Sequence, residues 1–169
     1  RPGLPDWAVW GDEAHRGNLI ASIDLNELDL EQRNLRLIEK YDRIRKNEQR
    51  ADLYRCDDAE WLLLACNTPA RMAKGAVQQL RKLGIRVGLF RPVTLWPFPI
   101  DSLRALLDHA QGLLVVEGSN GQLEDELRLA LSHAGIEPPT IDRVQSYGGF
   151  LPQQGEILDA VLKGEEVAQ

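Results

Sequence analysis

Apolar positions along this chain change their spacing twice. Residues 1–30 hold no 3.6- or 2-residue period for more than a few positions and read as an extended linker. Over 31–50, Leu35, Ile38, Tyr41 and Ile44 recur at threes with Leu37 beside them, predicting a highly charged amphipathic helix with one narrow apolar stripe. From 51 to 169 short apolar runs alternate with amphipathic stretches. Residues 61–66 form a continuous apolar strand of the kind buried on both faces of a parallel sheet. Asn67-Thr68 then caps a helix from Pro69 to Leu83, the Thr68 hydroxyl accepting free amides and Pro69 suiting the first position, and Gly84 ends it. A strand follows over 85–90. The three prolines of 91–99 exclude a helix there. Asp101 is expected to cap a helix reaching about His109. Residues 112–117 predict a third strand, 118–121 a turn, 122–134 a helix closed by Gly135, 140–145 a weaker strand and 153–162 a last helix. With a short edge strand at Leu53-Tyr54-Arg55, this order predicts a three-layer α/β/α sandwich around a mainly parallel sheet.

Composition narrows the class. The chain has 169 residues, 43% of them hydrophobic, which is ordinary for one globular domain of about 100–200 residues. Its formal charge is -6, a field that repels nucleic acid and anionic lipid, so neither is an expected partner. The 31–50 helix runs against this trend, with seven Lys/Arg against four Asp/Glu, and reads either as a solvated face or as a dock for an acidic surface. No apolar run approaches the ~20 residues that span a bilayer. The start, Arg1-Pro2-Gly3-Leu4-Pro5, has neither a signal-peptide apolar region nor an initiator methionine, and suggests a cytoplasmic fragment. Cys56 and Cys66 form no C-x-x-C pair, so no metal ligands are assigned.

In an open parallel sheet, ligands sit beyond the carboxyl ends of the strands, which directs attention to Asn67-Thr68, Arg91-Pro92 and 118–122. Gly118, Ser119, Asn120, Gly121 and Gln122 open a helix whose free amides suit a phosphate or carboxylate. The turn has no G-x-G-x-x-G or P-loop pattern, however, and Glu124, Asp125 and Glu126 already occupy the positive end of that helix. A capping turn is the competing reading. Glu117 at a strand end reads as a cap rather than a lone general base. His15, His109 and His133 suit a linker and two helix C-termini, and Cys66 a small buried hydrophobe. Trp96-Pro97-Phe98-Pro99 is a rigid apolar segment that either covers its own core or meets another domain. No catalytic residue follows from these patterns.

Four stretches carry a family likeness: 11–16 (Gly-Asp-Glu-Ala-His-Arg), Lys40-Tyr41, 68–71 (Thr-Pro-Ala-Arg) and 91–99 (Arg-Pro-Val-Thr-Leu-Trp-Pro-Phe-Pro). With 116–123 (Val-Glu-Gly-Ser-Asn-Gly-Gln-Leu) and Tyr147-Gly148-Gly149, the chain resembles the 2-oxoacid:ferredoxin oxidoreductases. Within them it is most similar to the C-terminal part of the alpha subunit of 2-ketoisovalerate or 2-oxoglutarate enzymes. The resemblance implies a transketolase C-terminal-type domain with a five-stranded sheet of order 1-3-2-4-5, its short first strand antiparallel, and Leu53-Tyr54-Arg55 as that strand. It implies an enzyme that uses thiamine diphosphate, iron–sulfur clusters and coenzyme A, and that passes electrons to ferredoxin. The chain itself has no Gly-Asp-Gly motif and no four clustered cysteines, so no cofactor is assigned to it.

One departure stands at Cys66-Asn67-Thr68, where the family pattern implies a Gly-Thr or Gly-Ser turn. Asn67 is then expected to take φ above zero, which asparagine tolerates. The implied role is a non-catalytic assembly domain that contacts the pyrimidine-binding domain of its own subunit and the thiamine-diphosphate-binding beta subunit. Tyr41, Arg45, Arg91, Trp96, Pro97 and Phe98 are its expected contact residues. The competing readings are a stand-alone nucleotide- or coenzyme A-binding domain using 118–121, and a hydrolase or transferase using Glu117.

Overall fold

The computed structural model describes residue 3, residues 5–21 and residues 23–168. The expectations drawn from Arg1, Pro2 and Leu4 lie outside the described residues. The chain divides between Arg43 and Ile44 into two compact units.

In the first unit a one-turn helix, α1 (Glu13–Arg16), interrupts the stretch expected to be extended. Asp12 makes that turn possible: its carboxylate accepts the His15 amide at 3.0 Å and lies 2.8 Å from His15 Nδ1. The charged helix, α2 (Glu27–Asn47), starts four residues before the expected 31 and ends three before 50. Asn26 explains the earlier start, since its side-chain oxygen accepts the Leu28 amide at 3.0 Å. Among the described residues of 1–43 none is buried.

The second unit contains a five-stranded sheet of order β1-β3-β2-β4-β5, as the resemblance implied. Its strands are β1 (Ala51–Tyr54), β2 (Trp61–Leu64), β3 (Val87–Pro92), β4 (Gly112–Glu117) and β5 (Thr140–Gln145). Only β1 runs antiparallel, pairing Asp52 with Arg91 of β3. The helices are α3 (Asn67–Lys82), α4 (Ile100–Leu107), α5 (Gln122–His133) and α6 (Gln154–Ala168).

Alternation along the central strands builds two cores. Trp61, Leu63, Leu114 and Val116 face α3 and α6, meeting Ala73, Val77, Leu80, Ile157 and Val161. Leu62, Leu64, Leu113 and Val115 face α4 and α5, meeting Leu103, Leu123, Leu127 and Leu131. Because β2 and β4 are buried on both faces, their sequences carry no polar alternation. The result is a three-layer α/β/α sandwich. Gly112 and Gly164 are small for one shared reason: a Cβ at either would collide with the Trp61 ring.

Two expected caps are corrected. Thr68 lies inside α3, whose N-cap is Cys66 with no side-chain hydrogen bond. Asp101 lies inside α4 because Pro99 takes the N-cap. A distant side chain caps α4 instead: Gln49 Oε1 accepts the Asp101 amide at 3.1 Å while its Nε2 donates to the Asp101 carboxylate at 2.9 Å. The last helix also runs beyond the expected Leu162 to Ala168.

Candidate functional site

The sheet switches direction between β2 and β4, which lie side by side while their helices leave on opposite faces. Both loops expected to flank this point do so, and they differ in chemistry. At the end of β4, Glu117 is 3% exposed. Its carboxylate accepts the Ser119 hydroxyl, the Leu123 backbone amide at 3.1 Å and Gln145 Nε2 at 3.4 Å. Tyr147 extends the chain of contacts by donating its hydroxyl to Gln145 Oε1 at 2.9 Å. Gly121 takes φ 93 as the N-cap of α5, a conformation that lets the chain turn from strand to helix. The carboxylate therefore sits where an incoming anion would have to sit. Asn120 and Gln122 are exposed and are not among the side chains that hydrogen-bond to Glu117. Glu117 is a helix cap, as read from the sequence, while Gln145 and Tyr147 were not foreseen as its partners, because no local pattern says that β5 lies beside β4.

At the end of β2, Asn67 takes φ 53, as its place in the turn required. It opens onto a cleft of about 270 Å³ lined by Asp52, Tyr54, Arg71, Lys74 and Arg91 among others. Asn67 and Arg91, far apart in sequence, thus share one cavity. Thr68 is exposed and does not line it. Arg91 pairs with Asp52 at 3.0 Å, and Lys74 Nζ lies 4.7 Å from the centre of the Tyr54 ring. Arg71 and Lys74 were missed as site residues, although their places four and seven residues after Asn67 put all three on one helix face.

A larger groove of about 570 Å³ lies between α4, α5 and the loop before α4. Trp96 borders it at 52% exposure, with Arg45 stacked 5.8 Å from its ring centre. Leu129 and His133 of α5 line it too. Phe98 is different. It is 7% exposed and stacks on Phe90 at 6.4 Å, so it belongs to the core and is no surface contact, and Pro97 is buried with it. Of the two readings of this segment, Phe98 follows the one in which it covers its own core, while Trp96 is half exposed. Tyr41 and Arg91 are exposed.

The cysteines do not fit an iron–sulfur cluster. Cys56 is buried and donates to the Leu89 carbonyl at 3.2 Å, and burial pushes its thiol up to about 11. Burial, then the Glu117 charge, also raises Cys66. Thiolates are what a cluster needs. Among the described residues no three His, Cys, Asp or Glu side chains gather as a metal site, and none of the described helices is long and apolar enough to cross a membrane.

With this geometry in hand, known proteins are informative. Residues 59–157 match the pyruvate:ferredoxin oxidoreductase core domain II. The chain is 39% identical over 155 residues to the ketoisovalerate oxidoreductase subunit VorB of Methanothermobacter thermautotrophicus, covering 92% of this chain and 43% of that protein. It is 33% identical over 108 residues to the 2-oxoglutarate synthase subunit KorA of the same organism, covering 63% of this chain and 27% of that one. The chain thus spans less than half the length of the curated relatives it matches. Among solved structures, the 2-oxoglutarate:ferredoxin oxidoreductase of Magnetococcus marinus, with 2-oxoglutarate, coenzyme A and succinyl-CoA bound, superposes with a TM-score of 0.68 at 19% identity, over 86% of this chain and 24% of that one. A split-gene transketolase superposes at 0.59 and 15% identity, over 71% of this chain and 42% of that one, which agrees with the transketolase-like architecture. By its matched domain, its relatives and its strand order, the chain belongs to the 2-oxoacid:ferredoxin oxidoreductase family.

Proposed function

We propose that this chain is a non-catalytic assembly domain of a 2-oxoacid:ferredoxin oxidoreductase subunit, working in the cytoplasm. The complete enzyme would decarboxylate a 2-oxoacid such as 2-ketoisovalerate or 2-oxoglutarate on thiamine diphosphate, pass the electrons through iron–sulfur clusters to ferredoxin and transfer the acyl group to coenzyme A. This chain contributes surfaces to that assembly. The observation that carries the reading is the apolar exposure of the first unit, where Trp7, Ile20, Ile23 and Leu25 are 73–94% exposed. Side chains of that kind left in water are the mark of a segment that covers another surface. Tyr41, Arg45 and Trp96 add exposed aromatic and cationic groups of the type enriched in interface centres.

The competing reading, a nucleotide or coenzyme A phosphate held by the 118–121 turn, is disfavoured because the Glu117 carboxylate already takes the α5 amide that a phosphate would use. Catalysis by Glu117 is disfavoured on the same geometry, since its oxygens are engaged and buried. Titration calorimetry of the purified chain against the remaining subunits of the enzyme tests the proposal. Binding in the micromolar range or tighter is expected, with no turnover of either 2-oxoacid by the chain alone. Turnover by the isolated chain, or no association with any subunit, overturns it.

A further inference from the structure

The cleft between α3 and the edge strand β1 is a concentration of positive charge on an acidic chain. Arg71, Lys74 and Arg91 line it and only Asp52 opposes them, leaving +2 where the whole chain carries -6. Several other arginines of the second unit are balanced by neighbouring acids: Arg81 by Asp58, Arg86 by Glu60 and Arg128 by Glu124. Among the described residues no carboxylate pairs with Arg71 or Lys74, and Lys74 rests instead over the Tyr54 ring. The first turn of α3 adds no acid. Like charges gathered in a concavity repel one another, and an anion bound among them relieves that repulsion.

We propose that this cleft binds a small phosphate-bearing anion of the diphosphate class. Three features select that chemistry. Net +2 matches a diphosphate better than a monocarboxylate. Two guanidinium forks and an ammonium reach it from α3 and β3, and Arg forks suit paired phosphate oxygens. The volume of about 270 Å³ holds a diphosphate and is too small to bury a folded partner. The cleft also lies at the carboxyl end of β2 and β3, the edge where open parallel sheets take ligands. The site is separate from the 118–121 turn and independent of the assembly reading, because its test needs this chain alone.

The experiment is titration calorimetry of the 169-residue chain with pyrophosphate at constant ionic strength, repeated with ADP and with poly-glutamate. Saturable 1:1 binding of pyrophosphate is expected, weakened at least about tenfold by Arg71→Ala and by Lys74→Ala and unchanged by Lys163→Ala, an exposed lysine on α6. Asp52→Asn removes the opposing charge and is expected to tighten binding. This keeps the test meaningful even if an alanine variant loses structure, which circular dichroism would reveal. Tighter binding of ADP supports the site and assigns a nucleotide source; equal binding supports it with free diphosphate. No pyrophosphate binding, binding indifferent to these variants, or binding of poly-glutamate alone overturns the proposal.

Discussion

Glu117, the last residue of β4, accepts the backbone amide of Leu123 at 3.1 Å, so one strand's carboxylate caps the helix that follows it. Removing that carboxylate leaves the buried α5 amide, taken by one oxygen, and the half-buried Gln145 amide, taken by the other, without their acceptor. Glu117→Ala is expected to cost about 2–4 kcal/mol in urea unfolding. An unchanged midpoint would mean that solvent replaces the carboxylate.

Trp96 and Phe98 stand two residues apart with opposite fates. Phe98→Ala should cost about 3 kcal/mol, because a ring stacked on Phe90 is lost from the core. Trp96→Ala should change stability by less than about 1 kcal/mol, since half of its surface is already in water. Thermal melts of the two variants check the contrast, and equal losses would refute it.

Gly112 allows the Trp61 ring to lie against β4, and no Cβ fits there without moving it. Gly112→Ala should destabilise by about 1–3 kcal/mol through overpacking. A shift in Trp61 fluorescence should accompany the lower midpoint.

Arg81 ties α3 to its neighbours. It donates to the Val87 carbonyl at 2.7 Å and the Arg55 carbonyl at 2.8 Å, and grips both oxygens of Asp58. The hydrogen bond from Arg81 holds the Asp58 carboxyl below its ordinary value. A carboxyl held low contributes stability above its unfolded pKa of 3.8 and loses it as the pH falls through its lower folded value. Arg81→Lys should therefore unfold more easily at pH 7, with a gap to the parent protein that narrows as the medium is acidified below about pH 4. A gap independent of pH would assign the loss to the carbonyl contacts alone.

The thiol of Cys56 reverses that sign. Burial raises it from 9.0 to about 11, so the folded state holds its proton longer than the unfolded chain does, and stability should fall as the pH rises from 9 to 11. Alkylation at pH 8 should be slow in the native protein and fast in urea. Equal rates would show that the thiol is accessible.

Several of these relationships were legible in the residues. The apolar strand over 112–117 and the weaker one over 140–145 lie where their patterns put them, because burial on both faces or one leaves a local signature. Asn67 announced its positive φ by standing where the family turn has glycine. Gln49 gave no such sign, since a cap delivered from 52 positions away has no local pattern. Phe98 could be read either as core cover or as a contact residue, because prolines on either side mark a loop, and a loop's periodicity does not say which side chain points inward.

By itself the sequence determined the order and type of the elements beyond residue 51, since hydrophobic period, proline and glycine act within a few residues of themselves, and its motif stretches carried the family resemblance. Only the tertiary structure decided which charges meet. It neutralised the α5 turn with Glu117 and assembled Arg71, Lys74 and Arg91 into one cleft, because those encounters depend on how β1, β3 and α3 are laid side by side.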